Sequence, residues 1–457
     1  MNPNHDLARS RQILYALFFP TMAIILNGSM FGVALPTIRA EFAMEPDVTA
    51  WLSIAFSLPF MMFMPLYGRL GDELGKSRLL TLGVFIFFLG TLLIWLSNSL
   101  PLIFVGRMIQ GAGSAGITPL SLAIISQRFS AELRGNALGT WNAIAPFTSI
   151  FAPSIGGYLT DNFGWRTFLI PALVVSIAAI AIVRWRIPSL RGKPNWEFVR
   201  RFDWIGVLLL TSTITSLMLY LSSRPVTGVE PLRDWRLGLA FIGSLILFTV
   251  WEQRQADPLI DLHILRNRTF VTASIGVFFR MSMMISVGFL LPLYLADLYG
   301  LNASQIGLLA TTHAVALFVS IRIGGWLADI RPNRQLILIG VGTQTLVMLY
   351  FALLPLNVPL VAIFAGAVCH GLGAGMVLPS FHRTALSAVP DEQTGAAAGI
   401  YSMTRFAGSM LATAITGVIL QLTQDSGVAL LRSYQFAFAF LILLGIGGLI
   451  VSSRLKS

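Results

Sequence analysis

From Gln12 onward the chain consists of long apolar blocks divided by short polar turns. The blocks run about 17–28 residues, enough for an α-helix to cross a hydrocarbon core of ~30 Å. Fourteen can be placed, at 12–36, 48–68, 78–97, 101–126, 135–160, 166–184, 203–222, 236–252, 269–296, 303–327, 335–355, 358–381, 394–422 and 434–452. Most connections are short, so neighbouring helices run antiparallel. The fold class that follows is an all-α membrane protein of fourteen transmembrane helices. The first block is longer than a signal-peptide core and carries no small-residue cleavage site, so it is expected to stay as the first span.

Composition fits this pattern. Of 457 residues, 55% are hydrophobic and only 11% charged, with a mean hydropathy of +0.76. A soluble protein of this size could not cover itself with so few charges. The net charge of +11 would suit nucleic acid, but its distribution points elsewhere. With the N-terminus inside, 21 of the 31 Lys and Arg fall in cytoplasmic segments or at the cytoplasmic ends of spans, six in external segments or at external ends, and four within the spans proper. Both termini are therefore expected in the cytoplasm, with the basic excess facing an anionic leaflet and no nucleic-acid partner. A single cysteine, Cys369, excludes an internal disulfide. The chain has no HExxH, GxSxG or Walker A sequence, so no enzyme, ATP-driven pump, metal or cofactor is expected.

A repeat is visible between GRLGDELGKSR at 68–78 and GWLADIRPNRQ at 325–335. Each is a short turn between a second and third span. Spans 1–6 and 9–14 then form two six-helix halves (1–190 and 266–457), with two inserted helices between them (191–265). Paired halves with a site at their interface are a common transporter plan. The first turn, with Gly68, Asp72, Gly75, Lys76 and Arg78, resembles the loop signature of the major facilitator superfamily. The second, with Gly325, Asp329 and Arg331, is a degenerate copy carrying Pro332. The resemblance implies that this loop latches one half against the other and sets which side is open. LIFVGRMIQGAG (102–113), APSIGG (152–157), FGWRTF (163–168), FDWIG (202–206), PLIDL (258–262) and SMTRFAG (402–408) resemble, in order, the fourteen-span drug:proton antiporter branch of that superfamily. In APSIGG, Ala152 replaces a usual Gly, while Pro153, Gly156 and Gly157 remain and suit a kinked, closely packed helix. Gly111, Gly113 and Gly116 spell a dinucleotide fingerprint, but inside an apolar span they serve helix packing.

The first-span stretch LNGSMFGVALP (26–36) resembles a motif that usually carries an acid where Asn27 stands. An embedded carboxylate can load and release a proton, and an amide cannot. None of the twenty acids lies deep in a span. The embedded cations are the reverse case. Arg280, His313, His370 and Arg405 fall roughly 15–18 Å from a membrane face, and Asn27 and Arg107 roughly 9–14 Å from the outer one. Charged groups at such depth are costly and are functional suspects. Arg107 is expected to hydrogen-bond Asn27 and Gln110, and Arg322 to reach for the interface. By the resemblance, Arg107, Arg280 and Arg405 could face a central cavity. His313 and His370 are the midplane groups that titrate near neutral pH, and a structural role fits each as well.

The resemblance implies a monomeric secondary exporter of the inner or plasma membrane, moving small amphipathic compounds against protons by alternating access among membrane lipids. The charge census adds a preference for anionic or neutral substrates. Two alternatives stay open: a facilitator or importer of an organic acid or other metabolite, and a non-transporting membrane sensor or lipid-handling protein.

Overall fold

The structure is a computed structural model that describes residues 3–129, 131–187, 197, 202–255, 262–390 and 393–455. The motif at 258–262 lies outside the described residues save for Leu262. All regular structure among them is helical, and thirteen helical stretches are long and apolar enough to cross a membrane.

The breaks in the longer helices follow proline. A proline lacks the N–H that would bond the carbonyl four residues earlier, and its ring crowds that carbonyl. Pro20 therefore acts on Ala16, where α1 (Pro3–Ala16) ends and α2 (Phe18–Glu41) begins. Pro119 acts on Ala115, between α5 (Leu100–Ser114) and α6 (Ile117–Arg128). Pro146 acts on Asn142, where α7 (Ala131–Asn142) gives way to α8 (Ile144–Phe163). The stretch 135–160, expected as one span, is thus two helices and is not among the thirteen. Other helices absorb their prolines, including Pro59 and Pro65 in α3 (Pro46–Leu74) and Pro153 in α8.

The chain packs as two compact units. The first comprises residues 1–34 and 55–202, hence most of α2 and α3, then α4 (Lys76–Leu96) through α9 (Leu169–Arg186). Its helices approach closely at glycine. A Cβ on Gly90 of α4 would lie 2.7 Å from the Gly106 carbonyl oxygen of α5, and one on Gly106 would lie 3.0 Å from that of Gly90. On another face of α5, a Cβ on Gly111 would meet the Phe56 carbonyl oxygen of α3 at 2.1 Å. The glycine-rich fingerprint in this span is therefore a packing seam. A Cβ on Gly156 of α8 would sit 2.7 Å from the Met30 side chain, so that helix seats directly on α2. The FGWRTF stretch is also structural: Arg166 donates to the Ser97 carbonyl at 3.0 and 3.2 Å and stacks on Trp165.

The second unit comprises residues 35–54 and 203–457. Its helices are α10 (Trp204–Leu221), the short α11 (Arg224–Thr227), α12 (Trp235–Arg254), α13 (Arg268–Tyr299), α14 (Ala303–Ile330), α15 (Asn333–Leu353), α16 (Leu360–Leu386), α17 (Thr394–Asp425) and α18 (Leu430–Ser452). Asp203 of FDWIG caps α10, accepting from the Gly206 N–H at 2.8 Å and from Trp251 Nε1 at 2.7 Å. Gly340 of α15 and Gly373 of α16 face each other as Gly90 and Gly106 do: each Cβ would lie 2.8–3.0 Å from the other's carbonyl oxygen. The two contacts join the third and fourth spans of each proposed repeat.

Polar clamps tie the 35–54 segment to the rest of its unit. Asp297 accepts from Arg39 at 2.7 Å and from the Tyr434 hydroxyl at 2.6 Å. Arg224 bridges Glu45, at 3.4 Å, and Asp425. Trp51 Nε1 donates to the Ser222 carbonyl at 3.1 Å.

The glycine contacts set a test. Gly111→Ala should lower stability by about 2 kcal/mol, because the new methyl meets backbone that cannot rotate away. Gly243→Ala, whose added methyl would have no atom within 4 Å, should be neutral or stabilising. Thermal unfolding of the detergent-solubilised protein distinguishes the two.

Candidate functional site

In the first unit a buried amide organises the polar groups. Gln110 on α5 is fully buried and Asn27 on α2 is nearly so. Their amides pair reciprocally: Asn27 Nδ2 donates to Gln110 Oε1 at 3.4 Å, and Gln110 Nε2 donates to Asn27 Oδ1 at 3.3 Å. Gln110 Nε2 also donates to Thr91 Oγ1 on α4 at 2.9 Å. Arg107, one turn earlier on α5, donates from Nη1 to Gln110 Oε1 at 3.0 Å. Asn27 and Arg107 thus meet as expected on one site, but through Gln110. Their guanidinium–amide group is roofed by aromatic faces, with Arg107 4.0 Å from the Phe31 ring centre and 4.7 Å from that of Phe56. Such cation–π contacts are worth ~2 kcal/mol when desolvated and offset part of the cost of taking the charge out of water. Thr91 was not singled out from the sequence, since a lone threonine in an apolar span carries no signal.

In the second unit the structure gathers residues from four helices. His313 on α14 and His370 on α16 pair, with Nε2 of the former 3.0 Å from Nδ1 of the latter and rings nearly parallel at 20°. One ring must donate and the other accept. The pairing depends on close backbones: a Cβ on Gly371 would lie 2.6 Å from the His313 carbonyl oxygen. His370 Nε2 is buried with no hydrogen-bond partner among the described residues. Arg280 on α13 is 1% exposed, and its guanidinium is committed to the protein. Nε and Nη2 donate to the Ala374 carbonyl at 3.0 and 2.7 Å, and the sulfurs of Met281 and Met284 lie 3.2 and 3.6 Å from Nη1 and Nη2. The methionines near Arg280 therefore act as soft acceptors. Arg405 on α17 stacks over Phe406 at 5.0 Å. His382 and Tyr401 complete this cluster, their rings edge-to-face at 5.2 Å. Both were missed in the sequence: His382 lies near a span end, and a tyrosine in a span is unremarkable.

The two loops differ in build. Gly75 takes a positive φ of 95° ahead of α4, which suits glycine alone. In the second copy the extended Pro332 precedes α15 instead. There Asp329 accepts from Arg383 of α16 at 2.9 Å, an ion pair not foreseen. Lys76 is half-buried, Arg78 and Arg331 are exposed, and a methyl on Gly68 or Gly325 would meet nothing within 4 Å. The Asp72 side chain lies outside the described residues. Gly156 packs tightly as expected of the APSIGG helix, with Pro153 and Gly157 buried beside it. Arg322 is exposed and lies 5.9 Å from the Phe318 ring centre. Among the described residues no group of three or more His, Cys, Asp or Glu could hold a metal ion.

A family model described as Major Facilitator Superfamily matches residues 17–264 and 272–455. Among curated proteins, the chain is 29% identical over 390 residues to "Riboflavin transporter RibZ" of Clostridioides difficile, covering 85% of this chain and 81% of that protein. It is 30% identical over 367 residues to "Quinolone resistance protein NorB" of Staphylococcus aureus, covering 78% and 77%. Among solved structures it is similar to a peptide transporter POT, with a TM-score of 0.72 at 12% identity over 97% of this chain and 94% of that one. A bacterial homologue of the human lysosomal transporter Spinster gives a TM-score of 0.68 at 14% identity, over 100% and 96%.

Gln110 is the test of the first cluster. Gln110→Leu should cost about 3 kcal/mol or more, since it strips a hydrogen bond from Asn27, Thr91 and Arg107 together. Thr91→Val, which removes one partner, should cost much less, read as the difference in midpoint of thermal unfolding.

Proposed function

The chain belongs to the Major Facilitator Superfamily and is a multi-pass membrane transporter rather than an enzyme, and from that premise we propose a secondary exporter of small amphipathic compounds. It exchanges them for protons by alternating access and prefers anionic or neutral substrates to lipophilic cations. The two six-helix halves, 1–190 and 266–457, rock about a central cavity, with the inserted helices of 191–265 between them. It works as a monomer in the inner or plasma membrane with both termini in the cytoplasm.

The observation that carries this reading is where charge lies along the helices. Each acid within the candidate spans falls among the first or last three residues of its span: Glu41, Asp47, Glu252, Asp297, Asp329 and Asp425. Arg107, Arg280 and Arg405 lie well inside theirs. In a poorly hydrated interior, Coulomb attraction of an organic anion to these cations outweighs the contacts of a neutral analogue, whereas a cation finds no counter-charge. The relatives, a riboflavin transporter and a quinolone resistance protein, support a small heteroaromatic amphiphile as cargo.

For coupling, the paired His313 and His370 are the proposed proton carriers, since two imidazoles in contact can share one added proton. Asp72 contributes indirectly through the loop that latches the halves. A second reading, a facilitator or importer of an organic acid, is favoured by one observation: Asn27 stands in its network as an amide, which carries no proton.

Inverted vesicles holding a pH gradient test both. Matched cationic, neutral and anionic dyes should collapse the gradient only when anionic or neutral, and Asn27→Asp should not be needed for the signal. A strong response to cations alone would refute the proposal. Silence in the wild type with a signal gained in Asn27→Asp would establish the facilitator. Replacing both His313 and His370 by Gln should abolish the pH signal, and full proton-linked transport in that variant would remove the pair from the mechanism.

A further inference from the structure

Arg280 and Arg405 look alike in sequence, two arginines in apolar spans, but the structure separates their roles. Arg280 has its donors taken up by the Ala374 carbonyl and two sulfurs. Arg405 makes no hydrogen bond or ion pair among the described residues, and its Nε is buried without a partner. Tyr401 precedes it by four positions on α17, so the two side chains share one face of the helix. Tyr401 is 3% exposed and its hydroxyl too has no partner among the described residues. The ring of His382, from α16, lies against that of Tyr401, and its buried Nε2 is again unpartnered. Three donor groups of different chemistry thus lie on adjoining faces of α16 and α17, with no hydrogen-bond partner among the described residues. Buried polar groups are normally satisfied, and exceptions call for an occupant.

The charges say what kind. Arg280 and Arg405 both act electrostatically on His382 and Tyr401. Among the described residues no carboxylate is hydrogen-bonded to or ion-paired with any of the four. We infer that Arg405, Tyr401 and His382 form the head-group site for a carboxylate-bearing substrate. The planar fork of a guanidinium matches two carboxylate oxygens at once. A phenol O–H and an imidazole N–H then supply donors to the remaining lone pairs. With one guanidinium uncommitted, a monoanion balances the charge, whereas a phosphate monoester brings a second negative charge that no free cation meets. Arg280 is a positioning residue: it adds its field while locking α13 to α16.

The site's place suits loading. Tyr401 and Arg405 lie roughly 10 and 16 Å along α17 from its Thr394 end, and His382 roughly 6 Å from the Leu386 end of α16. Those ends are joined by the 387–393 connection, so the donors lie towards one side of the membrane. Under the exporter reading, on which this placement rests, that side is the cytoplasm, where cargo is collected.

The test is a binding measurement on the purified full chain in nanodiscs, with 1-naphthoate, 1-naphthamide and 1-naphthyl phosphate as probes. Wild type should bind 1-naphthoate at least tenfold tighter than the amide and no more weakly than the phosphate. Arg405→Gln should erase the preference for the acid. Tyr401→Phe and His382→Phe should each weaken 1-naphthoate several-fold while leaving 1-naphthamide unchanged. Should Arg405→Gln fail to fold, Arg405→Lys keeps the charge but not the fork and should retain only part of the preference. Equal binding of acid and amide, absence of 1-naphthoate binding, tighter binding of the phosphate, or a full preference retained in the Arg405 variants would each overturn the site. No gradient enters this measurement, so a failure of the exporter proposal in vesicles leaves its result standing. Conversely, anion export that survives Arg405→Gln would sink the site and spare the exporter.

Discussion

A polar group inside a membrane has no water to fall back on, so each must be answered by another part of the chain. That constraint explains most of what is specific about this molecule. Hydrophobicity alone makes the helices long, but lipid is as apolar as leucine and gives them little reason to choose one neighbour over another. Choice comes from backbones that approach through glycine, as at Gly90 with Gly106 and at Gly340 with Gly373, and from side chains that must find each other, as Asn27 and Gln110 do.

Two strategies for holding charge result. In the first unit Arg107 is wrapped by an amide oxygen and two phenyl faces. In the second, Arg280 is pinned by a carbonyl and two thioethers. Each arrangement fixes the helix that bears the arginine. Arg405 has no such partner among the described residues. The difference between a committed and an uncommitted guanidinium separates scaffold from site here better than depth in the bilayer does.

Much of this was legible from residue order, and the limits are physical. Apolar block length located the helices, because spanning a bilayer leaves few options. It did not foresee the break at Ala143, since a block average hides one proline acting on the carbonyl four residues back. Asn27 and Arg107 were matched by their similar depth, yet depth is one coordinate of three, and Gln110 between them required the rotation of each helix. His313 and His370 were weighed singly because they are 57 positions apart and only the packing of α14 on α16, at Gly371 and Gly375 among other places, brings them together. Tyr401 and His382 escaped notice for a related reason: each is ordinary by itself, and what marks them is a missing partner, which sequence does not record.

The reciprocal amide pair also bears on protonation. A carboxylic acid that holds its proton offers one donor and one acceptor, and so does an amide in the same place. Ionised, the acid would offer acceptors only, so Gln110 Oε1 would face a second acceptor and one of the two reciprocal bonds would be lost. With asparagine at position 27 the network is therefore fixed in the pattern of the protonated acid, whatever the pH on either side. Gln110, Thr91 and Arg107 never receive an instruction to reorganise from this position, and any signal that protons send through the molecule has to enter elsewhere.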